Sequence, residues 1–315
     1  MKLRGIDFGP VWGASGVTGF FGEGYPFHRI LRPFGLNFKG MTFAAKTTVF
    51  LPQKGFLLLK KNGVTPQELL PSCITIRFFK GAVLNAVALS GPGAEALFKD
   101  GRWQTRTEPF FLSFATVGAS AEERLAELRG FVMLCKWYVP SFRAPVGLQL
   151  NFSCPNTGIH ELFVEEILEH LSVAAALGVP LVPKISVLVP PPTAKKIAAH
   201  PSCDALCVSN TVPWGALPDE IDWEGLFGSE VSPLARFGGG GLSGSPIFPI
   251  VTDWMFAASL LKIPKPICAG GGILKESDID LLAALKAQAV SLGSVAILRG
   301  WRVKRLIEYA HARFE

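Results

Sequence analysis

One repeating pattern in the second half of the chain constrains the fold more than any other feature. Short apolar runs alternate with loops rich in Gly, Pro or Asn and with stretches of helical periodicity. Units of this kind build a parallel sheet covered by helices. The runs are continuously apolar, which is typical of strands buried on both faces. They are Val146 to Phe152, Leu181 to Ile185, Ala205 to Val208, Pro266 to Ala269 and Ala289 to Leu292.

Three further strands are predicted in the first half, at Val11 to Ser15, Met41 to Thr48 and Phe110 to Ala115. They bring the count to eight, so we expect an α/β fold of the (β/α)8 TIM-barrel type, as one domain over residues 1–315. A helix is predicted over Ala121 to Tyr138, with acidic residues near its start. The other predicted helices are Glu161 to Leu177, Pro192 to Ala199, Phe248 to Leu261, Glu276 to Ala287 and Trp301 to Arg313.

Two stretches, Leu51 to Pro109 and Thr211 to Gly244, are too long for plain loops and are rich in Pro, Gly and aromatic residues. Barrels carry such insertions over the mouth formed by the carboxyl ends of their strands, which is also where barrel enzymes place their chemistry. The sequence therefore predicts loop insertions above a catalytic mouth.

Composition excludes several classes of protein. With 49% hydrophobic and 18% charged residues the chain is not disordered, and its 31 Lys and Arg are scattered rather than arranged in a stripe that would bind nucleic acid. No apolar run is long enough for a membrane span, and no signal peptide is recognisable. The six cysteines lack paired zinc spacing, so we predict no metal site, buried positions for Cys203 and Cys207, and a reducing, cytoplasmic environment.

Polar residues follow three consecutive predicted strands. The first group is Asn151-Phe152-Ser153-Cys154-Pro155-Asn156-Thr157, in which Cys154 is either a base or nucleophile or a buried structural thiol. Lys184 lies inside an apolar strand, where a cation either requires a negative partner such as an anionic cofactor or extends past the strand end into water. Asn210 and Thr211 end the next strand. Because these strand ends meet at one mouth, we expect the groups to form one site.

Three glycine-rich turns are also predicted: 238–244, 270–272 and Gly293-Ser294. The last two follow the final two strands of the predicted barrel. At this position many barrels bind a phosphate group with backbone N–H groups.

Taken together, the sequence resembles the dihydroorotate dehydrogenase family of flavin-containing β/α barrels. The resemblance spans nearly the whole chain in the family's order. Its most specific motifs are the run from Asn151 to Thr157 and the Gly-Gly-Leu-Ser-Gly run that ends at Gly244. The remaining matches are Gly13-Ala14-Ser15-Gly16, Lys46-Thr47-Thr48, Asn85-Ala86, Lys184, Ser209-Asn210-Thr211, Gly271-Gly272-Ile273 and Gly293-Ser294.

The resemblance implies an FMN-dependent oxidoreductase of pyrimidine biosynthesis that oxidises dihydroorotate to orotate. Cys154 would remove a proton from the substrate while a hydride passes to flavin N5, and Lys184 would stabilise the reduced flavin. A Cys at this position resembles the soluble class of the family. The implied FMN-binding residues are Ala14, Ser15, Lys46, Thr47, Lys184, Gly241, Gly271, Gly272, Gly293 and Ser294. The implied substrate-binding residues are Lys46, Asn85, Asn151, Asn156, Asn210 and Thr211.

Some motifs depart from the family pattern. The family usually reads Asn-Ala/Ser-x-Gly-Leu-Pro-Asn where this chain has residues 85–91, Asn-Ala-Val-Ala-Leu-Ser-Gly. Ala269 likewise replaces the first Gly of a paired-glycine turn. Two alternatives therefore remain open: a related flavoprotein acting on another dihydropyrimidine or cyclic amide, and a non-catalytic flavin-binding scaffold or electron-transfer subunit. The electron acceptor is open as well, and we expect a homodimer or a complex with an electron-transfer subunit.

Overall fold

Strands and helices alternate along most of the chain. The computed structural model describes residues 1–152 and 161–314. The strands are β1 (Lys2–Leu3), β2 (Ile6–Asp7), β3 (Val11–Gly13), β4 (Ile74–Arg77), β5 (Ala82–Asn85), β6 (Phe110–Phe114), β7 (Val146–Asn151), β8 (Leu181–Ile185), β9 (Leu206–Val208), β10 (Val212–Pro213), β11 (Gly241–Gly244), β12 (Ile267–Gly270) and β13 (Ala289–Leu292). The α-helices are α1 (Pro26–Leu31), α2 (Ala94–Asp100), α3 (Ala121–Tyr138), α4 (Glu161–Ala174), α5 (Pro191–Ala198), α6 (Trp223–Phe227), α7 (Phe248–Leu261), α8 (Glu276–Ala284), α9 (Val295–Leu298) and α10 (Val303–Phe314).

Seven strands form one parallel sheet in the order β3-β13-β12-β9-β8-β7-β6. The segment 42–48 lies between the two edges of this sheet, because Thr42 bridges Trp12 of β3 and Thr48 bridges Phe114 of β6, both in parallel orientation. Its backbone bonds to both neighbours, with Thr42 donating to Val11 at 2.8 Å and Ala45 to Phe111 at 2.9 Å. The segment therefore takes the eighth place in the ring, and the predicted (β/α)8 barrel is confirmed.

The predicted helices also lie where the periodicity places them. At α3, nearby side chains determine where the helix begins. At the start of α3, the Ser120 hydroxyl accepts a hydrogen bond from the Glu123 N–H at 3.1 Å, while the Glu123 carboxylate accepts from the Ala119 N–H at 2.7 Å. This capping satisfies N–H groups that the first helical turn leaves without partners. Within the described ranges, none of the helices is both long and apolar enough to cross a membrane.

Aromatic rings fill the barrel interior away from the catalytic mouth. Phe8 stacks on Phe111 with ring centroids 4.2 Å apart, and Trp12 packs against Phe111 at 4.6 Å. Gly147 on β7 leaves room for these rings, because a Cβ atom there would lie 2.7 Å from the Phe111 ring and 3.1 Å from Phe8. The predicted buried cysteines are confirmed at Cys203 and Cys207, and Cys207 belongs to this interior cluster.

A second, antiparallel sheet with the strand order β10-β11-β5-β4 is built from the two long insertions. One correction follows for the glycine-rich segment 238–244, which we expected to be a turn throughout. Its second half is strand β11, in which Gly241 pairs with Asn85 and Leu242 with Leu84 of β5. The reason is tertiary, since the partner strand comes from an insertion more than a hundred residues earlier in the chain.

The interior packing generates a stability prediction. We expect Gly147→Ala to lower the free energy of unfolding by about 1–3 kcal/mol, because the added methyl group overlaps the Phe111 ring and forces the packed aromatic rings to shift. Urea unfolding followed by circular dichroism measures the change. An unchanged midpoint would show that the rings can move aside at no cost.

Candidate active site

A cavity of about 520 Å³ lies at the carboxyl ends of the barrel strands, beneath the antiparallel sheet. This volume is in the range of sites that bind cofactors and small substrates. Cys154 and Asn156 lie outside the described residues. All the other predicted site residues line the cavity: Ala14, Ser15, Lys46, Thr47, Asn85, Asn151, Lys184, Asn210, Thr211, Gly241, Gly271, Gly272, Gly293 and Ser294.

Lys184 is a buried cation in the cavity wall. It lies on β8, in register with Asn151 of β7 and Cys207 of β9, and is 7% exposed. Its Nζ donates a hydrogen bond of 3.4 Å to the Ser15 hydroxyl and, among the described residues, forms no salt bridge. Burial lowers the pKa of Lys184, because the charged form is desolvated. An anionic ligand in the cavity would supply the missing partner.

Lys46 is a second buried cation, on the segment that closes the barrel. Its Nζ donates a hydrogen bond to the Ser90 carbonyl at 2.5 Å and lies 4.8 Å from the centre of the Phe20 ring. Burial lowers the pKa of Lys46 to about 8, and the nearby Glu23 partly opposes that effect. Lys46 thus connects the barrel to the loop 85–91 and holds a hydrogen-bond donor at the cavity.

Side-chain amides and hydroxyls form a network across the cavity floor. The Asn210 amide donates to the Asn151 side-chain oxygen at 2.8 Å and to the Phe152 carbonyl at 3.1 Å. The Asn151 amide donates in turn to the Thr47 hydroxyl at 3.2 Å, which lies 2.9 Å from the Ser113 hydroxyl. These bonds fix the orientation of the amides before any ligand binds. A preorganised floor of this kind suits a planar ligand rich in carbonyl and N–H groups.

Glycine residues line one part of the cavity wall and expose their backbone there. Gly271 and Gly272 adopt φ values of +114° and +91°, which only glycine tolerates without strain. At Gly293 a Cβ atom would lie 2.9 Å from the Cβ of Ala14. Among the described residues, the N–H groups of Gly271, Gly272, Gly293 and Ser294 donate to no protein acceptor. Unpaired N–H groups next to the start of helix α9 are suited to a phosphate group.

The antiparallel sheet forms a largely apolar roof. The Asn85 amide donates to the Gly241 carbonyl at 3.3 Å, so this predicted ligand residue is held by the strand opposite. Several lining residues were not predicted, because their elements or pairings depend on tertiary contacts. They are Tyr25, Phe27 and His28 at helix α1, and Ile74, Val83, Pro213 and Phe237 at or beside the roof.

Comparisons with known proteins agree with this arrangement. The catalytic subunit of dihydroorotate dehydrogenase B (NAD(+)) from Alkaliphilus oremlandii (strain OhILAs) is 26% identical over 238 residues, which cover 72% of this chain and 71% of the relative. Over most of its length the chain is therefore similar to a dihydroorotate dehydrogenase subunit. No protein-family model matches it.

Solved structures give the same result for the fold. DHODH from Eimeria tenella matches with a TM-score of 0.67 in complex with ferulenol and 0.70 in the ligand-free type, at 18% identity. The two matches cover 98% and 99% of this chain and 82% and 86% of those chains. The predicted resemblance to the dihydroorotate dehydrogenase family is confirmed by the relative from Alkaliphilus oremlandii, and the solved structures confirm the barrel fold.

The loop 85–91, which departs from the family pattern, adopts an unusual backbone. Ala88 stands where the family usually has Gly, and its φ is +54°. The next residue, Leu89, has a φ of +55°, and both residues line the cavity. A left-handed conformation costs about 1–2 kcal/mol for a residue with a side chain. This chain therefore accepts strain and places an extra methyl group beside the cavity.

We expect Ala88→Gly to raise the free energy of unfolding by roughly 1 kcal/mol, because glycine adopts this φ without strain. Ala86→Gly is the matched control. Ala86 has no left-handed φ, so the same change should lower stability through the added freedom of the unfolded chain. Thermal unfolding of the two variants and the parent protein tests this. A loss of stability in both variants would contradict the strain at Ala88.

Proposed function

We propose that this chain is an FMN-dependent oxidoreductase that oxidises dihydroorotate to orotate. One observation carries the proposal: the buried Lys184, which forms no salt bridge within the described residues, faces the same cavity as the unpaired N–H groups of Gly271, Gly272, Gly293 and Ser294. A buried cation and a phosphate-type cradle in the same cavity match the reduced ring and the phosphate group of a flavin mononucleotide. The relationship to dihydroorotate dehydrogenases supports the choice of flavin and substrate.

The residues present fit this cofactor. The glycine cradle and Ser294 would hold the phosphate, while Ala14, Ser15, Lys46, Thr47 and Gly241 would line the ring system and its ribityl chain. When bound, FMN supplies the hydride acceptor at its N5 atom. Lys184 would provide positive charge where negative charge develops on reduction. The charge is effective there because burial excludes water and lowers the local dielectric constant.

The substrate would lie between the amide floor and the roof. Asn151 and Asn210, held by the floor network, would bind the ring's carbonyl and N–H groups, with Asn85 and Thr211 contributing from the roof side. Lys46 would interact with the carboxylate of the substrate, because it is the other buried ammonium group at the cavity. Asn156 remains a sequence-based candidate for the same role.

Cys154 is the proposed base that removes a proton from the substrate. It lies outside the described residues, so this role rests on its place in the Asn-Phe-Ser-Cys-Pro-Asn-Thr motif, directly after strand β7. A thiolate is a competent base near neutral pH if its surroundings lower the ordinary thiol pKa of about 8.5.

A second candidate activity is oxidation of another dihydropyrimidine or cyclic amide. The loop 85–91 favours it, because Ala86, Val87, Ala88 and Leu89 all line the cavity and present apolar groups there. These side chains leave fewer polar contacts for a substrate carboxylate. Anaerobic reduction by a panel of cyclic amides would separate the two substrates.

We also propose that the chain works in the cytoplasm, as a homodimer or with an electron-transfer subunit. The relative from Alkaliphilus oremlandii is named as a catalytic subunit of an NAD(+)-linked enzyme, and this supports a partner that carries electrons onward.

The first test uses Lys184→Met in protein freed of flavin and then titrated with FMN. We expect the flavin-free variant to be more stable by roughly 1 kcal/mol, since it buries no unpaired charge. Its affinity for FMN should fall by about tenfold to a hundredfold, the range for a lost hydrogen bond from a charged donor. Lys195→Met, an exposed lysine on α5, is the matched control and should change neither quantity. Equal FMN affinity in all three proteins would contradict the placement of Lys184, and a parent protein that binds no FMN would overturn the function.

The second test measures anaerobic flavin bleaching by dihydroorotate in stopped flow. Cys154→Ala should slow reduction by orders of magnitude with FMN still bound, and Cys154→Ser should keep part of the activity with its optimum at higher pH. The parent rate should rise with pH as the thiol ionises. Burial lowers the pKa of Lys46 to about 8, so Lys46 would also titrate in this pH range. The pH dependence of the Cys154→Ala reduction rate isolates the effect of Lys46. Equal rates in the three proteins would exclude Cys154 as the base.

A further inference from the structure

Four aromatic side chains form an exposed patch beside the cavity. We call it the aromatic patch and define it as Phe34, Phe78, Phe79 and Trp301. Phe79 is 97% exposed and Phe34 68%, while Phe78 and Trp301 are 39% and 47% exposed. Large aromatic rings exposed together in this way mark a surface that meets a partner.

Contacts within the patch hold it together. The Phe78 ring lies 5.7 Å from Phe79 and 6.0 Å from Trp301, centre to centre. The Arg299 guanidinium lies 4.2 Å from the centre of the Phe78 ring and donates a hydrogen bond to the Phe78 carbonyl at 3.3 Å. A Cβ atom added to Gly35, which follows Phe34, would lie 3.9 Å from the Trp301 carbonyl oxygen, so the turn that carries Phe34 lies beside Trp301. These contacts hold the Phe78 ring beside Trp301 and Arg299, while Phe79 projects into solvent.

The segments that carry the patch contain charge of one sign. The three segments that carry it, 29–34, 77–80 and 299–302, contain Arg and Lys at six positions and neither Asp nor Glu. Arg29, Arg32, Lys80 and Arg302 are exposed. A surface that combines aromatic rings with cations is complementary to a partner that carries negative charge at its surface and apolar groups beneath that charge.

The shape of the patch identifies the kind of partner. Its rings lie on three separate turns: the turn between β4 and β5, the turn after α1 and the turn after α9. Protruding tips of this kind fit poorly against a rigid protein face, whereas a lipid headgroup layer deforms around them. Phe and Trp insert at the interface, and Lys and Arg bind acidic headgroups.

We propose that the aromatic patch docks this protein on the surface of an anionic lipid bilayer. The chain lies on the membrane in this arrangement and does not span it. Each of the three segments follows an element that lines the cavity, through His28 on α1, Ile74 on β4 and Ile297 on α9. The inference does not depend on the reaction.

Cosedimentation with vesicles tests the proposal, using phosphatidylcholine alone and phosphatidylcholine mixed with phosphatidylglycerol. The parent protein should bind only the anionic vesicles, and binding should weaken as salt rises. Phe79→Ser should abolish most binding, and Lys80→Gln should reduce the partition coefficient about fivefold. Trp137→Ser is the matched control: Trp137 is 81% exposed but lies on α3, away from the patch, so binding should not change.

Phe79 makes few contacts that folding requires, so Phe79→Ser should keep the circular dichroism spectrum and unfolding temperature of the parent. Three results would overturn the proposal: no binding by the parent protein, equal binding to both kinds of vesicle, or equal binding by Phe79→Ser. A parent protein that dimerises through the patch and loses dimerisation in Phe79→Ser, without vesicle binding, would assign the surface to a second copy of the chain instead.

Discussion

The burial of two lysines in a water-poor cavity is the constraint on which the site depends. Taking an ammonium group out of water is costly, and the one hydrogen bond that Lys184 Nζ makes within residues 1–152 and 161–314 is to the Ser15 hydroxyl. The surrounding barrel stabilises the fold enough to hold this unfavourable group in place. The resulting charge is available to a ligand, because no carboxylate of the described residues neutralises it. The cavity is thus preorganised for an anion.

The barrel makes such a site possible through its geometry. Parallel strands end at the same edge, so Asn151, Lys184 and Asn210, which lie far apart in sequence, meet in one cavity floor. The amide network then removes the rotational freedom of the side chains. Less conformational entropy remains to be lost when a ligand binds, and that favours affinity.

The roof differs in origin and in chemistry. Strands from two insertions pair in an antiparallel sheet, and the adjoining loop presents Ala88 and Leu89 in left-handed conformations. The cavity thus combines a polar floor, held by hydrogen bonds between side chains, with a more apolar roof. The floor comes from the barrel strands and the roof from the insertions, so the two surfaces can differ in chemistry without a change in the barrel.

The sequence by itself determined the barrel and most of the floor. Short, largely apolar runs between turn-forming residues, such as Leu181 to Ile185, indicate buried strands, and polar residues at the ends of parallel strands meet at one mouth. Tertiary structure alone decided that Gly241 to Gly244 is a strand and that α1 contributes His28 to the cavity. The reason is physical: β11 has only four residues and no apolar periodicity, and its hydrogen-bond partner Asn85 lies 156 residues away along the chain. Local propensity cannot specify a pairing over that distance, whereas the closed barrel brings the two insertions together.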